Sequence, residues 1–150
     1  MDHDKINKWL TLGANVGVIA GIVFLGIELS QNNEHAASQA KYNMLQNQVS
    51  VIAQISSSSE LGEVIARARA SAELLPADEV RLNALAAQTV YFWKWEFEEF
   101  EAGRIEGLPV EAWRGLFAGS PVPLPISRVW QPIAAQNPAF AKFMTENIVN

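Results

Sequence analysis

The segment Tyr91-Phe92-Trp93-Lys94-Trp95-Glu96-Phe97-Glu98-Glu99-Phe100-Glu101 is the densest run of aromatic and acidic side chains in the chain. Phe92, Trp93, Glu96, Glu99 and Phe100 stand at helix-neighbour spacings. A Glu-x-x-Glu pair of this kind suggests a carboxylate metal site in a helical bundle, but such sites also take a Glu-x-x-His motif from two of their helices. The two histidines are His3 and His35, and neither follows a glutamate by three residues. The expected arrangement is therefore an amphipathic helix with its aromatics inward and its glutamates in water, holding no metal and no cofactor.

Other chemistries find less support. The chain contains no cysteine, which removes thiolate metal ligands, cysteine nucleophiles and disulfides together. No Gly-rich phosphate loop and no Ser-His-Asp set is present. Arg67, Arg69 and Arg81 could hold a small anion, although a solvated helix face is the better account of them. A net charge of -5 without a basic run argues against nucleic acid as a partner. These absences point to a non-enzymatic protein. The aromatics near Trp93 and Trp95 project to more faces than one core stripe needs. Trp93 and Trp95, together with Trp9, are therefore expected to meet a partner or the membrane interface, where Trp is favoured.

The elements that must position these groups begin with an uncharged stretch, Trp9 to Ile27. As a helix it is roughly 28 Å long, against a hydrocarbon core of about 30 Å. The charged fraction of 18% is below the usual quarter, and much of the deficit lies in this stretch. It reads as a membrane span. A signal peptide would have a short basic start and 7–15 apolar residues, whereas Asp2 and Asp4 offset Lys5 and Lys8 here and the apolar run is longer. The small-x-small site Ser38-Gln39-Ala40 also lies well beyond the apolar end, so a retained anchor is expected. Residues 1–30 thus form a tail and transmembrane helix, and residues 31–150 a single helical extramembrane domain.

Gly13, Gly17 and Gly21 recur every fourth residue, giving two overlapping Gly-x-x-x-Gly patterns, and Ala20 joins their face. A smooth strip lets a second helix approach closely, which matters where lipid supplies no hydrophobic drive. Phe24 and Glu28 continue that face. An acid at the membrane edge is a candidate ion or proton site, while solvation at the headgroup level is the plainer account of Glu28. Beyond the span, Ser30 to Ile55 contains no Pro or Gly, so the helix is expected to continue. Tyr42, Leu45, Val49 and Ile52 are spaced 3, 4, 3 as in a coiled coil. That stripe belongs either between subunits or under the chain's own later helices.

The serine run Ser56 to Ser59 should break the long helix. Ser57 and Glu60 resemble a capping box opening a helix to Ala70, with Leu61, Val64, Ile65 and Ala68 inward. A longer helix is expected from about Ala77 to Ala102, stopped by Gly103. A short one should follow from Pro109 to Gly119, then an extended run through Pro121, Pro123 and Pro125. Two last helices are expected around Ser127–Ala135 and from Pro138 to about Ile148. The fold class is all-α: an N-terminal transmembrane helix continuing into a long helix, then a small domain of four to five helices.

The pattern Trp9-Leu10-Thr11-Leu12, Gly17, Gly21-Ile22-Val23-Phe24-Leu25, Glu28, Gln31-Asn32 resembles a widespread family of small uncharacterised bacterial single-pass membrane proteins with an N-terminal span and a helical domain. Ser59-Glu60-Leu61, Glu79-x-Arg81-Leu82-Asn83 and Gly103 with Glu111-x-Trp113 extend the likeness across most of the chain. The resemblance implies residence in a bacterial inner (cytoplasmic) membrane and brings no catalytic residue. This chain has Leu29-Ser30 where that family often carries a basic residue before the Gln-Asn pair, which would favour a cytoplasmic domain. Lys5 and Lys8 before the span against Lys41 after it favour the opposite orientation. The side of the helical domain stays open. The expectation is a homo-oligomer built on the glycine-lined span and the helical domain, with an accessory subunit of a larger membrane complex as the alternative.

Overall fold

The computed structural model describes residues 3–120 and 122–150. Met1 and Asp2 of the expected tail, and Pro121 of the expected extended run, lie outside the described residues. The described residues are all-α: six helices and no strand, with the chain dividing into two compact units after Gln39.

Helix α1 runs His3–Ser57. Within residues 3–39 its described large apolar side chains are exposed, among them Trp9, Val16, Ile22, Phe24 and Leu29. It is long and apolar enough to cross a membrane. The helix passes through the first two serines of the expected break. Ser56 and Ser57 donate their hydroxyls back to the Ala53 and Gln54 carbonyls, a bond a helix accommodates. The break comes at Ser58, which turns extended and accepts from the Leu61 N–H at 3.2 Å as the N-cap of α2, Ser59–Arg69. Sequence spacing had pointed to Ser57 for that cap.

The domain of residues 40–150 is organised on α3, Pro76–Glu101. Its buried positions, Leu82, Leu85, Ala86, Thr89, Val90, Trp93, Glu96 and Phe97, recur at intervals of one and three, a single broad inward face. Pro76 opens the helix, where its missing N–H costs nothing. Asp78 accepts from the Leu75 N–H at 3.2 Å and from Arg67 at 2.9 Å, tying the start of α3 to α2. Burial alone would raise the Asp78 pKa. The Arg67 bond, the Leu75 N–H and the charges of Arg67 and Arg81 outweigh it and hold the carboxyl below its usual range. At the other end Gly103 adopts φ +70°, and the Arg104 N–H reaches back to the Glu99 carbonyl.

Three shorter helices close over this face: α4, Val110–Phe117; α5, Ile126–Ala134; and α6, Pro138–Met144, which loosens into a π turn at Thr145–Val149. Asn137 caps α6 by accepting from the Ala139 and Phe140 N–H groups. The Arg114 guanidinium of α4 donates to the Asn147 carbonyl in the π turn. The proline segment is not uniformly extended. Successive i→i+2 turns are centred on Pro123 and Pro125, and a third on Pro109, because a φ near −75° also suits an inverse γ-turn.

Phe97 meets both Phe140 and Phe143, at centroid distances of 5.6 and 5.2 Å. Phe140→Ala, at a fully buried site, should cost about 3–5 kcal/mol, whereas Phe100→Ala, at a partly exposed one, should fall within roughly 1 kcal/mol. Denaturant midpoints of the two full-length variants in detergent check that ordering.

Candidate functional site

Residues 40–57 of α1 carry two different faces. Ala40 is buried, while Val51 and Ile55 are half-buried and pack on the domain core. Tyr42, Leu45, Val49 and Ile52 stay 56%, 59%, 57% and 65% exposed. At about 100° per residue the two sets lie roughly 130° apart around the helix. The chain's own helices therefore take one face and leave the coiled-coil-like stripe uncovered.

In residues 3–39, Gly13, Gly17, Ala20, Gly21, Phe24 and Glu28 are all exposed. A Cβ built on Gly13, Gly17 or Gly21 meets nothing within 4 Å beyond the adjoining backbone of its own helix. Nothing within the monomer requires glycine at these positions.

The aromatic surplus divides differently from expectation. Trp93 is 2% exposed and stacks on Trp113 at a centroid distance of 5.1 Å with the planes 13° apart, so it belongs to the core and not to a partner surface. Its place on the inward face of α3 makes this unavoidable, since it follows Val90 by three residues and Ala86 by seven. Trp95 is half-buried and stacks on Phe92 at 5.9 Å. The outward aromatics of α3 are Tyr91 and Phe100. Trp9 is 72% exposed on α1.

The acids divide as well. Glu98 pairs with Lys94 at 2.7 Å, and Glu99 holds the Arg104 guanidinium through two bonds of 2.6 and 2.8 Å. Each of these two carboxyls is held below its usual pKa by its cation, which outweighs the opposing effect of burial. Glu96 does the opposite of what was expected of it. It is 0% exposed, and its Oε2 accepts from Trp113 Nε1 at 3.2 Å while Oε1 has no partner. Burial pushes its pKa up to about 7, with the Trp113 bond working against the rise. Glu96 and Glu99 thus lead into different environments and do not form a metal pair. Among the described residues no cluster of three His, Asp or Glu stands together.

Glu96 lines an apolar cavity of about 300 Å³ inside the 40–150 domain, between α1, α3 and α4. Val51, Ile52 and Ile55 form one wall, Phe92 and the Trp93–Trp113 stack another. A larger cleft of about 430 Å³ opens near the end of α2, between Ser71 and Arg128. Among the described residues, Glu96 Oε1 and Arg67 Nε are buried without a partner, and neither residue lines this cleft. Arg67 and Arg81, weighed as an anion site, are engaged by Asp78 and Glu60 of the same chain.

The buried glutamate was missed because charged side chains are normally assigned to water. The signal was present in the spacing: Glu96 follows Trp93 by three residues and Thr89 by seven, on the inward face. Its partner Trp113 is 17 residues away and no local pattern links them. Comparison with protein-family models, curated proteins and solved structures finds no match to this chain.

A carboxyl ionised near pH 4.5 when unfolded and near pH 7 when folded makes stability fall as pH rises between those values, because only the folded state keeps the proton. Above about pH 7 both states are ionised and the contribution is flat. Glu96→Gln should flatten the pH 5–7 slope while keeping the Trp113 bond. Denaturant unfolding of wild type and variant at pH 5, 6, 7 and 8 measures the difference.

Proposed function

We propose that this chain is a non-enzymatic, single-pass protein of a bacterial inner membrane that assembles with copies of itself. Trp9 to Ile27 is the span, and the Gly13, Gly17, Gly21 strip with Ala20 is its helix-packing face. Tyr42, Leu45, Val49 and Ile52 form a second contact in the extramembrane part of α1. The observation that carries the reading is the exposure of that stripe. The domain packs against the other side of the same helix segment, leaving four large apolar side chains at coiled-coil spacing without a cover. Uncovered apolar faces of this kind are characteristic of interaction sites.

The glycines support the same reading. Glycine in a helix interior costs about 1 kcal/mol relative to alanine. Within the monomer Gly13, Gly17 and Gly21 face open space and relieve no contact. A close helix neighbour gives them a purpose, since backbone approach substitutes for the hydrophobic drive that lipid withholds. Glu28 then stands at the membrane edge on the packed face.

Native mass spectrometry of the protein gently extracted from its own membranes tests assembly directly. A single species at an integer multiple of 16.5 kDa is the expected result. Additional proteins in the particle would instead make the chain an accessory subunit. Gly17→Leu combined with Gly21→Leu should return the particle to monomer mass while the chain still inserts. An oligomer of unchanged size would sink the role of the strip.

A further inference from the structure

Assembly through α1 does not account for Glu96. A buried carboxyl oxygen without a partner costs about 1–3 kcal/mol, more when ionised, and native interiors keep few such groups. Removing the proton does not satisfy it, and neither does adding one: the ionised oxygen lacks a donor, and the protonated one lacks an acceptor. Among the described residues no cation compensates it. The residues facing it across the cavity from α1, α4 and the turn at 122–124 are uncharged, and on α3 itself Lys94 is paired with Glu98 and Glu99 with Arg104. A glutamine or leucine here would be cheaper. The group borders an apolar volume.

That volume is about 300 Å³, at the lower end of small-molecule pockets and too small for a two-chain lipid. Its walls are aliphatic on the α1 side and flat aromatic rings on the other. Gln48, Ile52 and Ala112 stand exposed at its rim. We propose that this cavity binds a compact, largely aromatic alcohol whose hydroxyl donates to Glu96 Oε1. The single orphan acceptor selects the head group. A hydroxyl brings one O–H and is satisfied, while an ammonium brings three N–H donors to a site whose other walls are mostly apolar. An anionic head would face a carboxylate. Thr89, also at the cavity, has already given its hydroxyl proton to the Leu85 carbonyl at 2.9 Å. The site lies wholly within residues 40–150, and Ile52 at its rim is shared with the outward stripe of α1.

A hydroxyl bonds an ionised carboxylate more strongly than a protonated one, by about tenfold in affinity. Binding should therefore tighten as Glu96 loses its proton near pH 7. The test uses the full chain in lipid nanodiscs, labelled with 5-fluorotryptophan and followed by 19F NMR. The Trp93 and Trp113 signals, assigned by single Trp→Phe replacements, are titrated with 2-naphthol, naphthalene, 2-naphthoate and 2-(aminomethyl)naphthalene. The expected result is a saturable shift of both signals by 2-naphthol, about fivefold tighter at pH 8 than at pH 6. Naphthalene should bind more weakly and without pH dependence, and naphthoate not at all. Ala112→Phe, at an exposed position on the rim, should abolish the shift while leaving the spectrum dispersed. Glu96→Gln should remove the pH dependence. Equal binding of naphthalene and 2-naphthol, preference for the amine, no saturable shift, or a shift that survives Ala112→Phe would each overturn the proposal.

Discussion

The domain depends on the inward face of α3, where two aromatic contacts fasten elements distant in sequence. Trp93 lies nearly parallel to Trp113 and anchors α4, while Phe97 reaches Phe140 and Phe143 and anchors α6. Trp113 also meets Phe143 edge-on at 6.1 Å, so α4 and α6 are held to each other as well as to α3. Rings of this size bury much apolar area at low entropic cost, which suits a domain of little more than a hundred residues. Short helices such as α4 and α6 would not persist in isolation; packing against α3 is what holds them.

Glu96 is the departure from that apolar logic. It sits among the same rings, one turn beyond Trp93, and draws its only hydrogen bond from the indole of Trp113. The stack that stabilises the domain therefore also fixes the orientation of its one fully buried glutamate. Desolvation then does the rest, raising the carboxyl toward neutrality without help from a neighbouring charge. Glu98 and Glu99 are instead held low by Lys94 and Arg104. The contrast between Glu96 and Glu99 is a contrast of faces, since one points at rings and the other at Arg104.

The same separation of faces governs the outer part of α1. Positions facing the domain carry Ala40, Val51 and Ile55, and those facing away carry a second apolar set, Tyr42, Leu45, Val49 and Ile52. A soluble monomer would place polar side chains on the outward set. The two apolar faces divide α1 between an inner role, walling the cavity, and an outer one that the proposed assembly would cover. Ile52 belongs to both, standing in the outward stripe and at the cavity rim.

Much of this architecture was legible in the residues themselves. The apolar run from Trp9 to Ile27, the absence of Pro and Gly from Ser30 to Ile55, Pro76 at a helix start and Gly103 after a helix end are local features with local causes. Helix boundaries and fold class follow from them, because capping, backbone freedom and hydrophobic spacing act over a few residues. Even the inward register of Glu96 was encoded in the spacing of α3. Three things were decided only by tertiary structure. The face of α1 that the domain covers depends on where the later helices dock. Burial of Trp93 depends on Trp113, and the isolation of Glu96 depends on every wall of its cavity being uncharged. Each is a contact across many residues of chain, and short-range pattern carries no information about such contacts.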